Sequence, residues 1–334
     1  MKFFLTSACP VIPLGTMAIF GILLAISAVA CQNPESVDID SQFTTKHEFW
    51  DQPTLPIVGK PAVDPSKAAY SINQCVSPGL FAITLDDGPS LNALKALDAL
   101  KSKGAVATFF VNAKNQADLV NEPAAQARLR RIFADGHQVG SHTYSHKNLA
   151  GLSQDAMWTE LQLNDDVIYS IIGVRPTHVR LPYLSSNGAV NEALGSWGYR
   201  IIGVNMDLLD YTHNGVPNEI AENLANFNTG LSLRFPSYIS LNHDFTTQIG
   251  PWLERMIDLI RSNGFRIVTV AECVGDSYPY RSTSASPVPQ FPSVPPAPTK
   301  TDSADQELST QTSSSGRVST VFDVTVLYLL LVYV

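Results

Sequence analysis

Between residues 76 and 278 short strand-like runs alternate with longer amphipathic ones, and this alternation restricts the fold more than any other property of the chain. The short runs are LFAITL (80–85), AVATFFV (105–111), HQVGS (137–141), THVRL (177–181), RIIGVN (200–205), YISLN (238–242) and FRIVTV (265–270). Between them lie helical patterns such as LNALKALDALKSKG (91–104), which ends near a glycine, and SQDAMWTELQLNDDVIYSIIG (153–173), which opens on Ser153 as a cap. Strands separated by helices pair in parallel, because the helix carries the chain back before the next strand begins. Seven such units in about 200 residues predict an α/β fold, a deformed (β/α) barrel of about seven parallel strands, TIM-barrel-like in plan.

The polar clusters occupy one place in this pattern. DDGP (86–89) follows the first run and SHTYSH (141–146) the third. Arg180 with PY (182–183) closes the fourth, MDLLDY (206–211) follows the fifth, and HD (243–244) the sixth. In a βα barrel the C-terminal strand ends form one face, so five sequence-distant groups are predicted to meet there.

Two imidazoles and a carboxylate leave coordination positions free for water and substrate, which is the arrangement of a catalytic metal. His142 and His146 supply the imidazoles, and Asp86 or Asp87 the carboxylate. Adjacent aspartates cannot point the same way along an extended segment. A turn at Gly88–Pro89 would let both reach the site, one as ligand and the other as proton acceptor, and the spacing does not choose between them. Asp207 is a candidate partner for His243, raising its pKa and fixing its tautomer as an acid requires. Arg180 is a candidate partner for Asp86, holding it ionised and oriented.

The two ends speak for export. Residues 1–30 carry one charge, Lys2, and the apolar run AIFGILLAISAVA, which reads as a signal peptide. Residues 31–75 form an N-terminal extension before the 76–278 domain. Residues 279–316 are dominated by Ser, Thr and Pro and read as an extended, O-glycosylated stalk. The stalk ends in small residues around Ser314, and 317–334 is apolar to its end, the pattern of a GPI attachment signal. In that oxidising setting Cys75 and Cys273 are expected to pair, while Cys31 remains an odd thiol. The net charge of −8 and the absence of any Lys/Arg-rich run exclude a nucleic-acid partner.

TLDDGP, SHTYSH, RLPY, DLLDY and ISLNHD, in this order, resemble the five motifs of the polysaccharide deacetylase family, the NodB homology domain of carbohydrate esterase family 4. The layout is similar to fungal chitin deacetylases, including the closing segment NGFRIVTVAECVGD (263–276). The resemblance implies metal-dependent hydrolysis of the N-acetyl groups of chitin, giving chitosan and acetate. It implies Asp87, His142 and His146 as ligands of a divalent metal, Zn2+ or alternatively Co2+, and Asp86 as the base held by Arg180. It also implies that the Tyr183 N–H stabilises the oxyanion, with Tyr211 beside the substrate, and that His243, oriented by Asp207, is the acid. Leu85, Leu181 and Tyr211 depart from the common Phe, Pro and Trp without touching a catalytic group. Leu184 stands where glycine is usual, beside the oxyanion position. The expected setting is a monomer anchored by GPI to the outer face of the plasma membrane and to the cell wall. The alternatives are another acetylated polysaccharide, peptidoglycan or acetylxylan, or a catalytically weak chitin-binding wall protein.

Overall fold

The computed structural model describes residues 60–281. The signal peptide, Cys31, most of the Ser/Thr/Pro stretch, Ser314 and the apolar tail lie outside the described residues. Within them, no helix is long and apolar enough to cross a membrane.

The strands are β1 (Leu80–Ala82), β2 (Thr84–Asp86), β3 (Thr108–Val111), β4 (Gln138–Ser141), β5 (His178–Val179), β6 (Arg200–Ile201), β7 (Met206–Asp207), β8 (Tyr238–His243) and β9 (Arg266–Val268). The helices are α1 (Ala93–Ser102), α2 (Pro123–Ala134), α3 (Gln154–Ile172), α4 (Gly188–Ser196), α5 (Glu219–Ser232), α6 (Ile249–Ser262) and α7 (Val270–Cys273). The strands pair in parallel in the order β6-β5-β4-β3-β2-β8-β1-β9, with β7 also on β8. The chain from Arg200 to Asp207 pairs first with β5 and then with β8, so it runs from one side of the barrel to the other. No ladder closes the ring at residues 202–205, and the barrel is deformed rather than complete.

Two expected strands are thereby corrected. LFAITL divides at Ile83, because β1 pairs with β8 and β9 whereas β2 pairs with β3 and β8. RIIGVN stops early: at Gly203 a Cβ would lie 1.8 Å from Asn73 Oδ1, and the chain before β1 lies against that seam. Ile72 bridges to Ile202 there. The fold also begins upstream of residue 76, since Trp197 Nε1 donates to Pro61 O (3.0 Å) and Ala69 N to Asn191 O (2.9 Å).

The strands are buried on both faces, as parallel strands under helices must be. Phe81, Ile83, Leu85, Phe109 and Val111 face outward into a core shared with Leu97, Leu100, Leu129, Trp252 and Met256 of the helices. Ala82, Phe110, Ile239 and Val268 face inward. Helix α3 begins and ends as its sequence requires: Ser153 Oγ accepts from Ala156 N, and Gly173 takes φ 74°.

A short plug closes the N-terminal mouth. Thr108, Gln138, His178 and Arg200 are the first residues of β3, β4, β5 and β6. Thr108 Oγ1 accepts from Val270 N (2.9 Å) and Gln138 Oε1 from Ala271 N (2.7 Å). His178 Nε2 donates to Asp276 Oδ2 (3.0 Å), which also pairs with Arg200 (2.9 Å). The Cys75–Cys273 disulfide bonds this plug to the chain entering β1. With the lower mouth filled, the opposite end is left for chemistry.

The disulfide spans 198 residues of sequence, so it removes much chain entropy from the unfolded state. Replacing both cysteines by alanine should lower the unfolding free energy by about 2–4 kcal/mol. Guanidinium melts of the two proteins test this, and coincident midpoints at equal slope would contradict it.

Candidate metal centre and catalytic site

Asp86 is the last residue of β2 and its side chain continues the inward series Ala82, Thr84. Asp87 follows with φ 74°, and this left-handed step turns its carboxylate back toward its neighbour's side. Both aspartates then face the loop after β4. His142 Nε2 lies 3.4 Å from Asp87 Oδ1 and 3.9 Å from Asp86 Oδ2, and His146 Nε2 lies 3.2 Å from Asp87 Oδ1. One ligand atom from each of Asp87, His142 and His146 falls within 4.8 Å of the others.

The donor set suits a divalent cation. His142 Nδ1 donates to Arg180 O (2.8 Å), since a carbonyl can only accept, and this holds the ring with Nε2 toward Asp87. Asp87 Oδ1 is buried with no donor aligned on it, the condition of an oxygen meant for a metal. Burial pushes Asp87 up and His146 down; for Asp87 the histidines outweigh burial and hold the carboxyl low. Both tendencies favour the deprotonated forms that ligands need.

Arg180 is fully buried and holds Asp86 (Nη1 to Oδ1, 2.9 Å). The same guanidinium donates to Thr84 Oγ1, Ile202 O (3.2 Å) and Gly203 O (3.0 Å), and lies 4.4 Å over the Phe110 ring. On the other side His243 ends β8. Its partner is Asp210, not Asp207: Nδ1 and Asp210 Oδ1 are 2.7 Å apart, and Asp210 Oδ2 accepts the His243 amide (2.7 Å). Asp207 instead accepts from Leu209 N (2.9 Å), and Leu209 at φ 51° turns the chain so that Asp210 reaches the imidazole. Burial opposes charging of His243, but the bond to Asp210 and the charges of Asp210, Asp86 and Asp87 outweigh it and push the imidazole up to about 9.

Tyr183 packs edge-on against His146 (4.7 Å) and Tyr211 against His243 (5.4 Å), both rings largely exposed. Tyr183, at φ 60°, sits in the short turn Pro182–Leu184, which is closed by Leu184 N donating to Leu181 O (3.0 Å). Leu184 takes φ 52°, the conformation for which glycine is favoured, and lines a cavity of about 250 Å³ with Ser71, Asn73 and Val204.

Sequence reasoning did not single out the residues that brace these loops. Asn112 Nδ2 donates to His142 O and Thr143 O (2.7 Å), and its own amide donates to Gly88 O (3.1 Å), linking both ligand loops. Glu160 accepts from Ser145 N (2.9 Å) and Ser145 Oγ (2.8 Å) beside His146. A lone Asn or Glu carries no spacing signal; Asp210 was visible inside MDLLDY but not separable from Asp207.

Residues 73–202 match the model of the polysaccharide deacetylase family. The chain is 40% identical over 209 residues to a chitin deacetylase of Colletotrichum lindemuthianum, covering 62% of this chain and 84% of that one. The chain belongs to the polysaccharide deacetylase family. It is also 36% identical to a chitin deacetylase of a Pestalotiopsis species, covering 62% of this chain and 67% of that one. The solved Colletotrichum lindemuthianum chitin deacetylase superposes with a TM-score of 0.62 at 37% identity, covering 66% of this chain and 99% of that one. The deacetylase is therefore a hydrolase, and its triad together with the family implies a divalent metal.

The two candidate carboxylates near His243 can be separated by titration. In metal-free protein, Asp210→Asn should drop the His243 pKa from about 9 toward or below its ordinary 6.5, because Asp210 supplies the largest raising contribution. Asp207→Asn should move it far less. Imidazole NMR reads both, and an equal shift in the two variants would contradict the pairing.

Proposed function

We propose that the protein removes N-acetyl groups from chitin, releasing acetate and leaving glucosamine units in the polymer, with zinc as its metal. What carries the reading is a carboxylate held by a buried arginine on one side of the triad and an imidazole held by a buried carboxylate on the other. Amide hydrolysis needs that pair: a base to activate water and an acid to protonate a poor leaving group. A protein that merely bound chitin would need neither.

Asp87, His142 and His146 would hold the metal. When bound, it supplies Lewis acidity that brings the deprotonation of water into the neutral range, near pH 7. Asp86, oriented by Arg180, accepts the proton of the attacking water. Tyr183 N–H donates to the acetyl oxygen as negative charge gathers there. His243, charged at neutral pH, gives its proton to the departing amine, and Asp210 stabilises that charge. The exposed rings of Tyr183 and Tyr211 offer apolar faces to the sugar and acetyl group.

The setting we propose is a secreted monomer with an O-glycosylated stalk, attached near Ser314 through GPI to the outer membrane face and the wall. Support comes from the apolar residues 1–30, the Ser/Thr/Pro stretch and the apolar residues after 316. A phosphatidylinositol-specific phospholipase should release the protein from intact cells. Recovery of residues 321–334 in the mature chain would contradict the anchor.

Acetate release from N-acetylglucosamine oligomers, measured after chelation and after zinc is restored, tests the reaction. Activity should vanish and return, and His142→Ala with His146→Ala should abolish both metal binding and turnover. His243→Ala should slow the amide by roughly 10²–10⁴-fold yet slow an aryl acetate much less, since a phenolate departs unprotonated. Asp86→Asn should slow both, and equal losses on both substrates for His243→Ala would refute its role as acid.

A further inference from the structure

Asp244 follows the acid His243 and takes no part in the reaction described, yet it is fully buried under the loop that carries Asp87. Both of its carboxylate oxygens accept from Ser90 N, at 3.2 and 3.1 Å, and its carbonyl accepts from Ser90 Oγ (3.0 Å). Its side chain lies against Gly88 so closely that a Cβ there would be 1.8 Å from Oδ2. No salt bridge reaches Asp244 among the described residues, although a buried carboxylate without a cation is costly.

The loop it supports carries one of the two left-handed ligands of the triad. Asp87 is left-handed, and one residue later the chain must pass over Asp244 before β2 gives way to α1. Asn112 N tethers Gly88 O from one side (3.1 Å) and Arg128 Nε tethers Pro89 O from the other (3.1 Å). Asp244 supports it from just beyond the end of β8. Because Asp244 is next to His243 on β8, the same strand end places the acid and braces the loop of the ligand aspartate.

We propose that Asp244 is a positioning residue for the metal centre: through Ser90 N–H and the space it fills beside Gly88, it holds Asp87 in the conformation that ligates. This rests on the metal-site reading given above. Residues that orient a ligand typically change metal affinity by roughly 10- to 100-fold when removed.

The test is zinc titration of the whole protein against a competing chromophoric chelator, with near-ultraviolet circular dichroism reporting the fold. Asp244→Leu keeps the volume but offers no acceptor, and should weaken zinc by roughly 10- to 100-fold. Asp244→Asn keeps an acceptor for Ser90 N–H and should recover most of that loss. At saturating zinc the Leu variant should regain kcat with little change in KM for the oligomer. A folded Asp244→Leu with wild-type zinc affinity overturns the proposal, as do Leu and Asn variants that are equally weak. Should Asp244→Leu not fold, Gly88→Ala presses on the same contact from the loop side; it should weaken zinc likewise, and unchanged affinity overturns the proposal. A wild-type protein that binds no zinc would instead overturn the metal-site reading and this proposal with it.

Discussion

One buried guanidinium holds the working end of this barrel together. Arg180 directly follows β5, and its side chain reaches β2 through Thr84 and Asp86 and the open seam through Ile202 O and Gly203 O. Its main-chain carbonyl fixes the tautomer of His142. A lone buried charge would be prohibitive, but this one has an anionic partner, carbonyl acceptors and an aromatic face. The gap between β6 and β7 is part of that arrangement. A continuous strand there would commit the carbonyls of Ile202 and Gly203 to a ladder, and Arg180 would lose two acceptors.

Backbone strain collects at the same end. Among the described residues the non-glycine positions with positive φ are Asp87, Thr143, His146, Tyr183, Leu184, Leu209 and Arg234, and all but the last lie in loops at C-terminal strand ends. Each such conformation costs about 1–2 kcal/mol for an ordinary residue. Buried polar groups offset it locally: Asn112 and Glu160 at the histidine loop, Asp244 at the aspartate loop, Asp210 beyond Leu209. Asp87 and His146, two of the three metal ligands, are themselves left-handed, so the ligand geometry is imposed by the surroundings and not by local preference.

That is also where reading the sequence stopped. The caps of α3 were legible, because capping is local: Ser153 and Gly173 bound it as expected. The convergence of DDGP, SHTYSH, Arg180 and His243 on one face followed from strand order. The partner of His243 did not, because choosing Asp210 over Asp207 depends on a single left-handed residue, Leu209. The division of LFAITL at Ile83 and the stop at Gly203 were hidden for a different reason. Both arise from which neighbours a strand finds, and Asn73 against Gly203 is a contact across 130 residues of sequence.

Inside the barrel the inward residues form layers. The lower layer is polar, with Thr108, Gln138, His178 and Arg200 binding the plug. The middle layer is apolar and tight: Phe110, Ala82, Ile239 and Val268 fill it, and Gly140 is required because a Cβ there would lie 2.5 Å from the Phe110 ring. The upper layer is Asp86, His142, Arg180 and His243. Successive side chains on a strand alternate faces, so a slip of one residue in any strand exchanges its layers with the outer core. In β2 that slip would put Leu85 where Asp86 meets Arg180, leaving the guanidinium buried and unpaired. The register that packs the core is therefore the register that builds the site, and strand errors that lose activity also carry the cost of an unpaired buried charge.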